Sequence, residues 1–329
     1  VSIPGMVCIG GGNRISYGAL RLPPTVTNIT VGSLWLGAHA TDAPLQSVLH
    51  FGSNTQFNTL IVTNLFRMGY GAFVYNDTDG EHNGLPPGTT LRVGVSETER
   101  GSFILGDSLS RGTPPVVTLG PDVGRFSAFL TSYEVGTTTP TGSRQLRVTN
   151  DLRKAVLETL DVDGPIRIGT VPRVQAYVYW PAGVVTATNL QMGYNDAQTV
   201  SYLALSTTAV RVQEAITLAP KATVDTLVNG VRCGLELTGT NFSAAAGATI
   251  NLVFLADPLN GGEPYWGLKV GGNALDQLTA MTNEPAQLTY NLDGLSSGSR
   301  NRFGIYYSAS ADFTYVGIKP RSGTLIIIQ

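Results

Sequence analysis

The residues of this chain that could do chemistry are few, and most are acidic or aromatic. In LDVDG, Asp161 and Asp163 alternate ahead of Gly164, and in NDTDGE the residues Asp77, Asp79 and Glu81 alternate about Gly80. Alternate carboxylates followed by glycine can aim several oxygens at one point, as calcium ligation requires. Asp-Gly turns use the same residues, and neither stretch has the ligand spacing of a full EF-hand loop. Asp161 and Asp163 are the favoured calcium pair because they lie between regular elements, whereas Asp77 and Asp79 sit in a long polar loop.

Aromatic chemistry centres on Tyr265 and Trp266, set between Gly-Gly-Glu-Pro and Gly267. Such a pair, if exposed, can stack on a sugar or receptor surface; aromatic residues in strands otherwise fill cores. Arg144, Arg147, Arg153, Lys154, Arg167 and Arg173 form the densest basic group. Facing one way, they could neutralise phosphates. Asp151, Glu158, Asp161 and Asp163 are interleaved with them, which favours internal pairing.

The search for catalytic motifs is negative. His39, His50 and His82 are the only histidines and show no zinc spacing, and no nucleophile elbow, P-loop or dinucleotide fingerprint occurs. The expectation is a protein that is not an enzyme. Cys8 and Cys233 make neither a metal spacing nor a disulfide framework and are expected as buried free thiols.

The elements that must position these groups read as strands. In Pro165 to Tyr194, residues Val174, Ala176, Val178 and Trp180 alternate with Gln175, Tyr177 and Tyr179, the period of a strand with unlike faces. Pro181, Ala182 and Gly183 break the run, and a second strand follows from Val184. Similar short runs recur from Met6 to a final, continuous Leu325 to Ile328, which should be buried on both sides. One segment reads as a helix, near 151–160: Asn150 can cap it, and Leu152, Ala155, Val156 and Leu160 follow a helical face. Neither an exact repeat nor a low-complexity tail is apparent.

Composition agrees with an all-β chain. Of 329 residues 13 % are charged and 42 % hydrophobic, with 39 Gly and 18 Pro, a balance suited to short strands and tight turns. The net charge of −2 supplies no general attraction to nucleic acid or anionic membrane. No apolar run reaches the ~20 residues of a transmembrane helix. Only four of the 21 basic residues are lysine, and arginine is enriched at interfaces. Polar residues at 195–198 suggest a boundary between domains 1–196 and 197–329.

The many short strands, the lone helix ahead of a strand pair and the run VQAYVYWPAGVVTATNLQMGY resemble the jelly-roll shell domains of nodavirus-like and tombusvirus-like coat proteins. The resemblance covers about the first 200 residues. It implies a jelly-roll β-sandwich followed by a second β-sandwich, either a projection domain or a second jelly roll. It also implies a capsid subunit that assembles with copies of itself in a virion, with calcium at subunit interfaces near Asp161 and Asp163. Such families bind genome through a basic N-terminal arm, which this chain lacks, so genome contact is not expected of the residues present. The other reading is a carbohydrate-binding or adhesive β-sandwich, a phage tail-tip or cell-surface module, with Tyr265 and Trp266 touching a glycan or host receptor.

Overall fold

A computed structural model describes residues 1–9, 18–37, 47–51, 56–69, 72–75, 85–106, 116–120, 123–140, 145–230, 233–259, 263–283, 285 and 287–320. In chain order the strands are β1 (Ser2–Ile9), β2 (Gly18–Arg21), β3 (Asn28–Leu36), β4 (Ser47–His50), β5 (Thr59–Met68), β6 (Ala72–Tyr75), β7 (Thr89–Val93), β8 (Gly101–Leu105), β9 (Val116–Leu119), β10 (Val123–Val135), β11 (Leu146–Asp151) and β12 (Val156–Ile168). They continue as β13 (Val174–Trp180), β14 (Gly183–Met192), β15 (Val200–Ser206), β16 (Thr208–Leu218), β17 (Ala222–Asn229), β18 (Gly234–Leu237), β19 (Asn241–Ala244), β20 (Thr249–Ala256), β21 (Tyr265–Gly271), β22 (Leu288–Asn291), β23 (Phe303–Ser308) and β24 (Phe313–Ile318). Two short helices, α1 (Leu275–Ala280) and α2 (Ser297–Arg300), flank β22.

These strands form a parallel β-solenoid of about 7 turns, which overturns the expected jelly roll and second sandwich. A long sheet has the order β1-β3-β5-β7-β10-β12-β14-β16-β18-β21-β24-β23, with β8 and β19 pairing beside that path. A second sheet runs β22-β20-β17-β15-β13-β11-β9, and β2-β4-β6 take the equivalent place in the first coils. A coil typically contributes one strand to the long sheet, or a broken pair as in β7–β8 and β18–β19, turns a corner, contributes one to the other sheet and returns. β13 and β14 are therefore the strands expected from the sequence, but they do not pair with each other. Pro181 and Ala182 turn the chain from one sheet to the other, and β13 pairs with β15 while β14 pairs with β16. The suggested boundary at 195–198 falls at another such corner, and both sheets continue across it.

Stacking keeps like beside like. Val162, Ala187, Val212, Leu237 and Val270 are successive cross-strand partners, as are Leu160, Val185, Val210, Leu235 and Leu268, and both columns are buried. Strands covered on one face by such columns and solvated on the other show the alternation seen in the sequence. The rings of Phe66, Phe103 and Tyr133 stack in the interior with centroids 5.3 and 5.0 Å apart, and Trp180 meets Tyr133 edge-on at 5.7 Å. The Tyr133 hydroxyl accepts from Trp180 Nε1 at 3.4 Å and from Asn150 Nδ2, so these buried donors have a shared acceptor.

The corners explain much of the glycine content. Gly106, Gly136, Gly169 and Gly193 follow the ends of β8, β10, β12 and β14, and each N–H donates to a carbonyl one coil below, at 2.8, 2.8, 2.8 and 2.9 Å. All four have positive φ. At Gly136 a Cβ would meet Val174 Cγ1 at 2.5 Å, so both the turn and the close approach require glycine there.

The expected helix near 151–160 is absent. Asp151 ends β11, Ala155 N–H donates to Leu152 O in a tight corner, and β12 begins at Val156. Val156 is exposed, while Leu157, Leu160 and Val162 face inward. Leu157 and Leu160 are claimed by Phe126 and Ala128 of the preceding coil, so ladder pairing overrides the helical spacing. At the far end, β24 joins β21 antiparallel and β23 joins β24 antiparallel, with Leu278 of α1 in the core beside them. At the near end β1 is an edge strand with Ile3 and Met6 exposed. Cys8 is exposed, contrary to expectation, and Cys233 is buried with its thiol donating to Leu227 O at 3.5 Å; the two form no disulfide. Leu325 to Ile328, His39 and His82 lie outside the described residues.

Candidate binding site on the long sheet

Outward side chains of the long sheet also stack coil on coil. Asp161, Thr186, Arg211, Glu236, Lys269, Tyr315 and Tyr306 are successive partners on β12, β14, β16, β18, β21, β24 and β23. The first contacts in the row span 25 residues of chain. Charge alternates along it. Arg100 Nη2 donates to Asp161 Oδ2 at 2.7 Å, Thr186 Oγ1 donates to Asp161 Oδ1, Arg211 Nε lies 3.7 Å from Glu236 Oε2, and Lys269 Nζ lies 2.5 Å from Glu236 Oε1. Opposite charges on neighbouring strands stabilise pairing and fix register.

Where this row approaches the antiparallel cap it borders a cavity of about 330 Å³ lined by Ala209, Arg211, Glu236, Pro264, Trp266, Lys269 and Tyr315. A register irregularity between Trp266 and Leu268 shapes it. Gly267 faces inward, since a Cβ there would touch Leu252 and Val228 of the second sheet, whereas Trp266 and Lys269 both reach the outer face. A bulge of this kind re-aims a side chain. Lys269 Nζ is 3.8 Å from the Phe313 ring centre and 5.8 Å from that of Trp266, a cation held over aromatic faces as well as by Glu236. The side chain of Arg211 is 58 % exposed, and among the described residues no hydrogen bond uses its donors. The site thus combines aromatic walls, one carboxylate and two cations, one of them with its donor fork open.

The sequence-predicted residues divide. Trp266 lines the cavity, although only 6 % of it is exposed. Tyr265 points the other way and is 3 % exposed; its hydroxyl accepts from Gly230 N–H at 2.7 Å and donates to Ala256 O at 3.1 Å. Burial pushes its phenol up to about 12. Tyr265 is a core residue, not the exposed partner of Trp266. Asp161 has both carboxylate oxygens engaged by Arg100 and Thr186, and Asp163 is exposed two positions along the same strand, its carbonyl accepting from Thr188 Oγ1 at 2.9 Å. Among the described residues no three His, Cys, Asp or Glu side chains gather as a metal site. Asp77, Asp79 and Glu81 lie outside the described residues.

The basic group does not converge on one surface. Arg147 lies on the second sheet over Tyr177 at 5.1 Å, and Arg153 pairs with Asp151 at 2.5 Å in a corner. Arg167 pairs with Glu134 on the long sheet at 3.2 Å, and Arg173 donates to Pro140 O at 2.8 Å; Arg144 is outside the described residues. Arg211, Glu236, Lys269 and Tyr315 were missed as site residues. Their spacing carries a signal only once the coil length is known, because they come together through stacking and not through local sequence. No helix among the described residues is long and apolar enough to cross a membrane. No family model, curated protein or solved structure matches this chain.

Proposed function

We propose that this β-solenoid is an attachment module that binds glycan without turning it over. The observation that carries the reading is the cavity in which Trp266 and Tyr315 share a wall with Arg211, Glu236 and Lys269. Aromatic surface packs against the apolar face of a sugar ring, and a few placed polar groups select its hydroxyls and fix its orientation. The volume of about 330 Å³ lies near the lower end of the ~300–1,000 Å³ typical of ligand pockets. Glycoside hydrolysis commonly uses a pair of carboxyl groups, and the lining holds one, Glu236, already engaged by Lys269. The test is a glycan array run with the native chain and with Trp266→Phe, which keeps a ring but removes much of the stacking surface. Binding that weakens several-fold in the variant supports the reading, and a native chain that retains no glycan sinks it.

Self-association, expected from the coat-protein resemblance, has one supporting observation. Among the described residues β1 pairs only with β3, with Ile3 and Met6 exposed on it, and such unpaired edges pair with further strands. Particles or higher oligomers in size-exclusion chromatography and negative-stain images support this reading; a strictly monomeric chain at high concentration counts against it.

A further inference from the structure

Resting on that reading of the cavity, we infer that its ligand is an acidic sugar, a uronate residue of a polysaccharide, whose carboxylate is taken by Arg211. The cavity carries two cations against one carboxylate. Lys269 is already committed, with its ammonium on Glu236 at 2.5 Å and over the Phe313 ring at 3.8 Å. Arg211 is not. Its nearest approach to Glu236 is 3.7 Å through Nε, beyond hydrogen-bond range, and its side chain stands 58 % exposed at the rim. A planar guanidinium with unspent donors matches a carboxylate in a two-point contact, and charge-assisted bonds of this kind are about twice as strong as neutral ones. A neutral sugar would leave that excess positive charge unanswered. Trp266 and Tyr315 line the same cavity but are only 6 % and 5 % exposed, with Tyr315 stacked on Tyr306 at 5.3 Å, so the apolar contact they offer a uronate is a narrow strip of wall beside the charged edge at Arg211.

The experiment is calorimetric titration of the intact chain with trigalacturonate and with the matching neutral galactose trimer, at low and high salt, repeated for Arg211→Gln. Arg211 is exposed, so this variant is expected to fold, which its melting temperature checks. The acidic trimer is expected to bind at least tenfold more tightly at low salt, with the preference shrinking as salt rises. In Arg211→Gln the two trimers are expected within about twofold of each other, since the charged fork is gone. Equal affinities in the native chain, or a preference that survives Arg211→Gln, overturn the inference while leaving a glycan-binding module standing. Binding of neither trimer, together with an empty glycan array, overturns both.

Discussion

Arg100 reaches Asp161 across 61 residues of chain, Nη2 to Oδ2 at 2.7 Å, and its Nη1 also donates to the Asp161 carbonyl at 3.1 Å. The turn ahead of β8 is thereby fastened to β12, with β10 between them in the long sheet. The carboxylate that the sequence offers to calcium is thus bound to an arginine.

Replacing Asp161 with alanine strands that arginine, whose side chain is only 15 % exposed. Exposed ion pairs contribute about 0–1 kcal/mol and broken buried ones cost about 3–5. For this half-covered pair the expected loss is about 1–3 kcal/mol in a denaturant titration. Calcium is expected to leave the native midpoint unchanged, because a cation would have to displace Arg100. A calcium-dependent rise that disappears in Asp161→Ala would restore a metal role.

The corner glycines give a second test. Gly136 has φ 68° and no room for a Cβ beside Val174, so Gly136→Ala should cost about 1–3 kcal/mol. Gly5, where an added methyl would meet nothing within 4 Å beyond its chain neighbours, is the control and should change stability by about 0.5 kcal/mol or less. Equal melting temperatures for the two alanine variants would refute the stacked-corner account.

Inside the solenoid, Tyr133→Phe keeps the ring stack but removes the acceptor shared by Asn150 and Trp180. Leaving buried donors unsatisfied costs about 1–3 kcal/mol. Adding Asn150→Leu to Tyr133→Phe should recover part of that loss, whereas an unchanged midpoint for Tyr133→Phe alone would show that the hydroxyl contributes nothing.

Acid should loosen the corner between β11 and β12. Burial on its own would raise the Asp151 carboxyl, but hydrogen bonds from Arg153 Nε (2.9 Å) and the Arg153 backbone N–H (3.1 Å), with the Arg153 and Lys154 charges, hold it below the usual carboxylate value. A group whose folded pKa is depressed contributes stability above its unfolded value, near ~3.9, and loses it as pH falls through the folded one. Melting curves from pH 6 down to 2 should therefore fall less steeply for Asp151→Asn than for the native chain. Parallel slopes would remove Asp151 from the acid response.

Much of the local structure was legible in the sequence. Alternation in Val174 to Trp180 and the run from Val184 gave strands where β13 and β14 lie. The helical spacing near 151–160 hides β12, and its partners show why. Leu160 is a strand residue because Val185 and Ala128 stand on either side of it, and nothing within ten residues says so. Partner spacing varies, 25 residues from Asp161 to Thr186 but 33 from Glu134 to Arg167, so insertions at the corners conceal the period. The available signal was an apolar residue followed by glycine at the end of several long-sheet strands, as in Leu105-Gly106, Val135-Gly136, Ile168-Gly169 and Met192-Gly193. Of the site, Trp266 was found through its Gly/Pro setting. Arg211 and Glu236 were invisible because they become neighbours only when coils stack.

Because the cavity sits against the antiparallel cap while β1 lies at the opposite extremity, the distance between them is counted in whole coils of about 4.8 Å each. Duplicating or deleting a coil would lengthen or shorten the molecule's reach in fixed increments without altering a single lining residue. Under the proposed attachment role, the number of coils would set how far the cavity stands from β1, independently of what the cavity binds.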